Sequence, residues 1–262
     1  MIVSRQNAKL KTIRRLRKSK GDKALLEGPH LVAEALAAGI ALENVFLTPE
    51  LADRPEGREL VERAKCDVEL VEPALLAALM DADTPQGALA VAHLPRGSAA
   101  SLPHRRDGIY VYLDGVQDPG NLGAIARVAE AAAAVGLACG PGTADPHHPR
   151  ALRASAGSLL RLPTAVAVAP EELRDHLAAL KPTWIALVAH GGRGLYEEPI
   201  GGTLVLALGA EGAGLSPAAE RLADHRLRIP TAPPVESLNV ATAAAVVLFE
   251  LRRRRTLAAV PA

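Results

Sequence analysis

Apolar and polar positions alternate along most of the chain between the period of a strand and the period of a helix. Ile109–Leu113 (IYVYL) is a continuous apolar run, the pattern of a strand buried on both faces. Asn121–Val135 follows as a helix, with Asn121 suited to cap its start and Gly136 suited to stop it. Further on, Ala165–Ala169, Trp184–Ala189, Leu204–Leu208 and Arg226–Ile229 read as strands. Glu171–Leu180 and Pro217–Ala223 read as helices, and Leu238–Arg252 as a long closing helix. Strands alternating with helices predict an α/β fold with a parallel, doubly wound sheet.

The first 93 residues predict a second, smaller α/β unit. Residues 6–18 form a short basic helix, Ala24–Leu26 a brief strand, and Pro29 to Gly39 a helix with Leu31, Val32, Ala35 and Leu36 on one face. Asn44–Thr48, Asp67–Val71 and Gly87–His93 are strands, Glu59–Lys65 and Pro73–Leu79 helices. Leu94–Gly108 is rich in Pro, Gly, Ser and basic residues without periodicity, and predicts a linker. The expected domains are therefore 1–93 and 109–262, joined by 94–108.

Composition narrows the class. Of 262 residues 49% are hydrophobic but only 2% aromatic, so the core must be built from Ala, Leu and Val. Cys66 and Cys139 stand far apart in apolar stretches, the pattern of buried small hydrophobes rather than of a disulfide framework or metal site. Neither a signal-like apolar core near Met1 nor a membrane-length apolar run is present, so a soluble cytoplasmic protein is expected, without membrane or metal partners. His147 and His148 read as loop residues, since adjacent histidines point apart and no Cys or carboxylate stands at ligand spacing.

Net charge is only +1, but nine basic residues against Asp22 give the first 23 residues +8, leaving −7 on the rest. That asymmetry points to a polyanion, with Arg14, Arg15, Arg17 and Lys18 as candidate RNA contacts; a solvated basic helix without a partner is the alternative.

Ligands of open parallel sheets bind beyond the carboxyl ends of the strands. Three loops at such ends stand out. Asp114–Gly123 (DGVQDPGNLG) turns at Pro119-Gly120 and leads to Arg127 on the helix, where a guanidinium reaches a phosphate or hydroxyl. Gly209–Ser216 (GAEGAGLS) sets Glu211 among Gly209, Gly212 and Gly214, which admit close backbone approach. Pro230–Asn239 (PTAPPVESLN) puts Ser237 and Asn239 at a helix start. Singly, Asn121 and Ser237 read equally well as plain N-caps, and Glu211 as a solvated turn residue. Their joint occurrence, in order after successive strands, carries the weight.

NLGAIAR at Asn121–Arg127, LGAEGAGLS at Leu208–Ser216 and IP…VESLNVATAAAV at Ile229–Val246 resemble the three motifs of the SpoU/TrmH family of RNA ribose 2'-O-methyltransferases. EGPHLVAEAL at Glu27–Leu36 is similar to that family's small RNA-binding domain. The resemblance implies S-adenosylmethionine as methyl donor, a C-terminal trefoil knot, a homodimer and structured RNA, ribosomal RNA favoured over transfer RNA, as substrate. It implies Arg127 as catalytic arginine, with Asn121, Glu211, Ser237 and Asn239 as the other motif polar residues. Leu208, Gly209, Gly214, Ile229 and Leu238 would hold the cofactor. Thr231 and Pro233, followed by Pro234, stand where the family has Met and Gly. Two prolines fix φ and remove two N–H donors, so this departure bears on cofactor affinity. A non-catalytic RNA- or ribosome-binding protein on the same fold is one alternative. A Rossmann-type dinucleotide enzyme is another, but G-x-G-x-x-G is missing after Ile109–Leu113.

Overall fold

The computed structural model describes residues 1–17 and 21–258. It divides into two compact units, Met1–Arg96 with His147–Arg161, and Gly97–Pro146 with the chain from Leu162 on.

The first unit begins with α1 (Ala8–Leu16), β1 (Lys23–Glu27), α2 (Pro29–Ala37), β2 (Leu42–Leu47), α3 (Pro49–Ala52), α4 (Pro55–Arg63), β3 (Asp67–Leu70), α5 (Pro73–Ala77) and β4 (Ala88–His93). Helices α2 to α5 each open on a proline, which costs no helix hydrogen bond in the first turn and sets φ for it. The strands lie in the order β1-β4-β2-β3; β4 is antiparallel to both neighbours and β3 parallel to β2. Alternate residues serve opposite faces. Leu26, Val45, Leu47 and Ala90 pack with Leu31, Val32 and Leu60 of α2 and α4. Leu25, Phe46 and Leu89 pack with Leu10 and Ile13 of α1 and with Leu75 and Leu76 of α5.

The chain then forms β5 (Ile109–Asp114), α6 (Pro119–Ala131) and β6 (Gly136–Cys139) of the second unit. Next come α7 (Pro149–Ala154) and α8 (Ser158–Arg161), which belong to the first unit. Leu152 and Leu160 join the cluster around Leu26 and Val32. Arg153 pairs with the buried Glu27, and Arg161 with Glu34. Burial holds the Glu27 carboxyl above the usual carboxylate range, although the Asp81 N–H and Arg153 both pull it down. The domain expected from Ile109 onward is thus interrupted. An excursion from its middle contributes apolar and charged side chains that only β1 and α2 can satisfy. The boundary also falls earlier than expected: within the supposed linker, Gly97 bridges to Ala165, and Ala99 and Leu102 are buried in the second unit's core.

The second unit continues with β7 (Thr164–Val166), α9 (Pro170–Leu177), β8 (Thr183–Leu187), β9 (Arg193–Gly194), β10 (Leu204–Gly209), α10 (Pro217–Leu222), β11 (His225–Arg228) and α11 (Val240–Ala258). Among the described residues its strands form one parallel sheet in the order β7-β6-β5-β10-β8-β11-β9. The central strands β5 and β10 are buried nearly throughout. The sequence pattern predicts a helix to Val135 stopped by Gly136, with no strand at β6. The helix instead ends at Ala131, Ala133 turns with φ 61°, and Gly136 starts a strand pairing Leu137 with Val111. The alanine run hid that boundary, because Ala favours helix on either side of it.

No described helix is long and apolar enough to cross a membrane. Cys139 is buried, which pushes its thiol up to about 12, whereas Cys66 is only half-buried, short of the burial expected for both. His148 caps α7 through Nδ1, which accepts the Arg150 N–H at 3.1 Å.

Candidate active site

Sheet register brings the three loops together. Leu113 and Asp114 of β5 stand opposite Leu208 and Gly209 of β10, Leu208 stands opposite Leu187 of β8, and Leu187 opposite Leu227 of β11. The carboxyl ends of these four strands form one row, and the loops after β5, β10 and β11 all leave from it.

The loop after β10 is a tight return. Ala210 and Gly214 exchange two backbone hydrogen bonds of 2.9 Å, with Gly212 and Gly214 at φ 83° and 73°. A Cβ on Gly209 would sit 2.2 Å from the Gly214 carbonyl carbon, so only glycine fits. Asp114, buried at the end of β5, accepts the Ser216 N–H at 2.6 Å and pins the far end of the loop. Glu211 is presented at the tip.

Three sequence-predicted residues meet there. The Asn121 amide donates to Glu211 Oε1 at 2.5 Å. The Asn239 amide donates to the same oxygen at 3.3 Å and to Asn121 Oδ1 at 3.1 Å. Asn121 is not the cap of α6. Asp118 is, accepting the Asn121 backbone N–H at 2.8 Å and leaving the Asn121 side chain free for Glu211. Asp118 and Asp114 fix the backbone of these loops and lie outside the candidate residues that the motifs single out. An Asp directly before Pro119 is a recognisable cap signal, whereas nothing local marks Asp114. Likewise Asn239, not Ser237, caps α11; its Oδ1 accepts the N–H of Ala241 at 2.9 Å and of Thr242 at 3.3 Å.

Beside this cluster lies a cavity of about 860 Å³. Leu208, Gly209, Gly214, Ile229 and Leu238 all line it, as do Glu211, Ser237 and Asn239. Pro233 and Pro234 are exposed and are not among the residues lining it, so the two prolines do not plug it. A glycine- and leucine-lined cleft with carboxylates from Glu211 and Glu236, and with Glu220 paired to Arg226, suits a ligand with an apolar, flat portion and a cationic one, which fits S-adenosylmethionine.

Arg127 stands apart. It is exposed on α6 and makes no hydrogen bond or ion pair among the described residues. Six residues past Asn121, it lies about 240° round the helix and about 9 Å along it.

Matches to known proteins agree with this geometry. The model of the SpoU rRNA Methylase family matches residues 108–249. The chain belongs to that family. Residues 6–90 match the MRM3-like substrate binding domain. The chain is 32% identical over 255 residues to the 23S rRNA (guanosine(2553)-2'-O)-methyltransferase RlmP of Bacillus subtilis, covering 96% of this chain and 98% of that one. It is 30% identical to the 23S rRNA (uridine(2479)-2'-O)-methyltransferase of Streptomyces viridochromogenes, over 92% of this chain and 86% of that one. Among solved structures, the SpoU methyltransferase AviRb from Streptomyces viridochromogenes in complex with AdoMet superposes with a TM-score of 0.88 at 28% identity. That match covers 96% of this chain and 99% of AviRb.

In the first unit the basic residues of α1 and its ends, the candidate RNA contacts Arg14, Arg15 and Arg17 among them, are not equivalent. Lys9 is held by Glu69 at 2.5 Å and Asp67 at 3.1 Å, and Arg17 by Asp81 at 3.2 Å. Arg14 donates to the Arg5 carbonyl at 3.0 Å. Lys11 and Arg15 are exposed without an ion pair among the described residues. Lys18 lies outside the described residues. No cluster of three or more metal-ligating side chains occurs among the described residues.

Proposed function

We propose that this SpoU-family protein transfers a methyl group from S-adenosylmethionine to a ribose 2'-hydroxyl of ribosomal RNA, in the cytoplasm. The convergence of Asn121, Glu211 and Asn239 at the rim of the 860 Å³ cavity is the observation that carries this reading. The near full-length likeness to named 23S rRNA 2'-O-methyltransferases supports the substrate class.

Bound in the cavity, the cofactor supplies a methyl group on a sulfonium, already a good leaving group. The protein's task is to orient the acceptor and ease loss of its proton. Glu211 is fixed by two amide donors on one oxygen, and in this reading its other oxygen orients the ribose. The Asn239 and Ser237 segment shapes the cavity mouth. Arginine stays protonated, so Arg127 acts by gripping the phosphate next to the reacting sugar and polarising the hydroxyl. Its phase on α6, turned from Asn121, supports action in a homodimer, where it would serve the partner's site. Exposed Phe249, Leu238 and Val235 on and before α11 support such an interface.

The trefoil knot belongs to the same proposal. β10 is inserted between β5 and β8, and β11 between β8 and β9, strands laid down earlier in the chain, which supports threading of the C-terminal segment.

The test is methyl transfer from labelled S-adenosylmethionine to purified 23S, 16S and transfer RNA, with the product mapped by its resistance to alkaline cleavage. A 2'-O-methylated ribosomal nucleotide is expected, and none where the acceptor is 2'-deoxy. Label on a base, or on transfer RNA alone, would refute the assignment.

A further inference from the structure

The first unit holds a second cavity, of about 630 Å³, which the methyl-transfer site does not use. Its apolar lining is made by Pro29, Pro73 and Pro85 together with the buried Leu51, Leu76 and Met80. Two glycines draw the walls together. Gly28 and Gly87 have φ of 96° and 77°; a Cβ on Gly28 would meet Gln86 Oε1 at 3.1 Å, and one on Gly87 would meet Thr48 Oγ1 at 2.7 Å. The Gln86 amide is thereby set beside the α2 start, at the cavity wall. Glu50 and Glu56 add carboxylates and Arg54 a guanidinium, 3.9 Å from Glu56.

A space of this kind takes a flat ligand with apolar faces and a hydrogen-bonding edge. Proline rings and a thioether pack on a π-face, while an amide and carboxylates accept from amino and imino groups. With Arg54 paired to Glu56, Glu50 leaves the lining with a net negative charge that disfavours a phosphate. Cations for a phosphate stand close by in sequence and space: Asp81, directly after Met80, holds Arg17 at the end of α1, the helix whose Lys11 and Arg15 are free of ion pairs among the described residues.

We propose that this cavity receives one unpaired base of the RNA substrate, with its sugar-phosphate chain leading toward α1. The inference rests on the RNA-methyltransferase reading above and adds a gripping point separate from the reacting ribose. Every lining residue, from Pro29 to Gly87, falls within the stretch that matches the substrate binding domain.

The test uses the full chain and transcribed 23S ribosomal RNA carrying 4-thiouridine or 6-thioguanosine. Irradiation of the wild type is expected to crosslink thiobases to peptides containing Met80 or Gln86. Filter binding is expected to show RNA affinity about tenfold weaker in Ala77→Phe, which fills the space, and in Gln86→Ala, an exposed change that the fold tolerates. The S-adenosylmethionine dissociation constant stays unchanged in both. Crosslinks confined to other segments, or wild-type RNA affinity in a folded Gln86→Ala and Ala77→Phe pair, would overturn the inference. So would crosslinking of the cavity to a ribosomal protein instead of RNA in intact subunits. These readouts do not depend on turnover, so a wild type that binds here but transfers no methyl group would refute the activity and leave this site standing.

Discussion

The Asn121 side-chain amide donates to the Glu211 carboxylate at 2.5 Å across a separation of 90 residues. Asn239, a further 28 residues on from Glu211, donates to the same oxygen. Each of the three loops thus holds the other two, and a hydrogen bond to a charged group is worth roughly 1.5–3 kcal/mol. Asn121→Ala and Glu211→Gln are therefore expected to lower methyl transfer roughly 10- to 100-fold, with near-native circular dichroism. Turnover within about twofold of wild type would show that the cluster is only a structural tie.

Arg127 makes no hydrogen bond or ion pair among the described residues and does not line the cavity, so its loss should not disturb the cavity. Arg127→Ala is expected to reduce methyl transfer by about 10²-fold or more, while calorimetry finds S-adenosylmethionine affinity within about twofold. Near-normal turnover would remove Arg127 from the reaction.

Gly209 is dictated by sterics rather than chemistry. In Gly209→Ala the new methyl must displace the Gly214 backbone, 2.2 Å away, and with it the loop carrying Glu211. A loss of about 1–3 kcal/mol in urea unfolding is expected, together with weakened cofactor binding. A variant as stable as wild type would mean that the return is more pliable than its geometry indicates.

Salt dependence separates the basic residues of α1. Arg15→Gln should reduce the slope of log affinity for RNA against log salt by about 0.7–0.9, the value of one phosphate contact. Arg17 is already neutralised by Asp81, so Arg17→Gln should leave the slope unchanged. Equal effects of the two would argue that RNA displaces Asp81.

Glu250 gives the fold a pH dependence. Hydrogen bonds from Arg253 and Arg254, at 2.8 and 2.6 Å, hold its carboxyl down at about 2 against an ordinary 4.5. Because the folded value is the lower one, the stabilisation is complete above pH 4.5 and fades as pH falls toward 2. The urea midpoint of Glu250→Gln should accordingly change less than that of wild type between pH 5 and pH 3. Parallel curves would mean that the pair contributes nothing.

Local pattern was enough for the parallel α/β class, for β5 and β10 as buried apolar runs, and for the loops that carry Glu211 and Asn239. These features depend on periodicity, glycine and capping chemistry, which act over a few residues. The motif residues were legible one by one for the same reason. Tertiary structure alone decided which Asn121 atom serves which purpose, because the cap role passed to Asp118 and freed the amide for a carboxylate far along the chain. It also decided that α7 and α8 belong with β1, through Leu152, Arg153 and the buried Glu27, and that Arg17 is neutralised whereas Arg15 is not. Such outcomes depend on strand register and long-range burial. No short window of sequence contains the partner with which a side chain will share low-dielectric space.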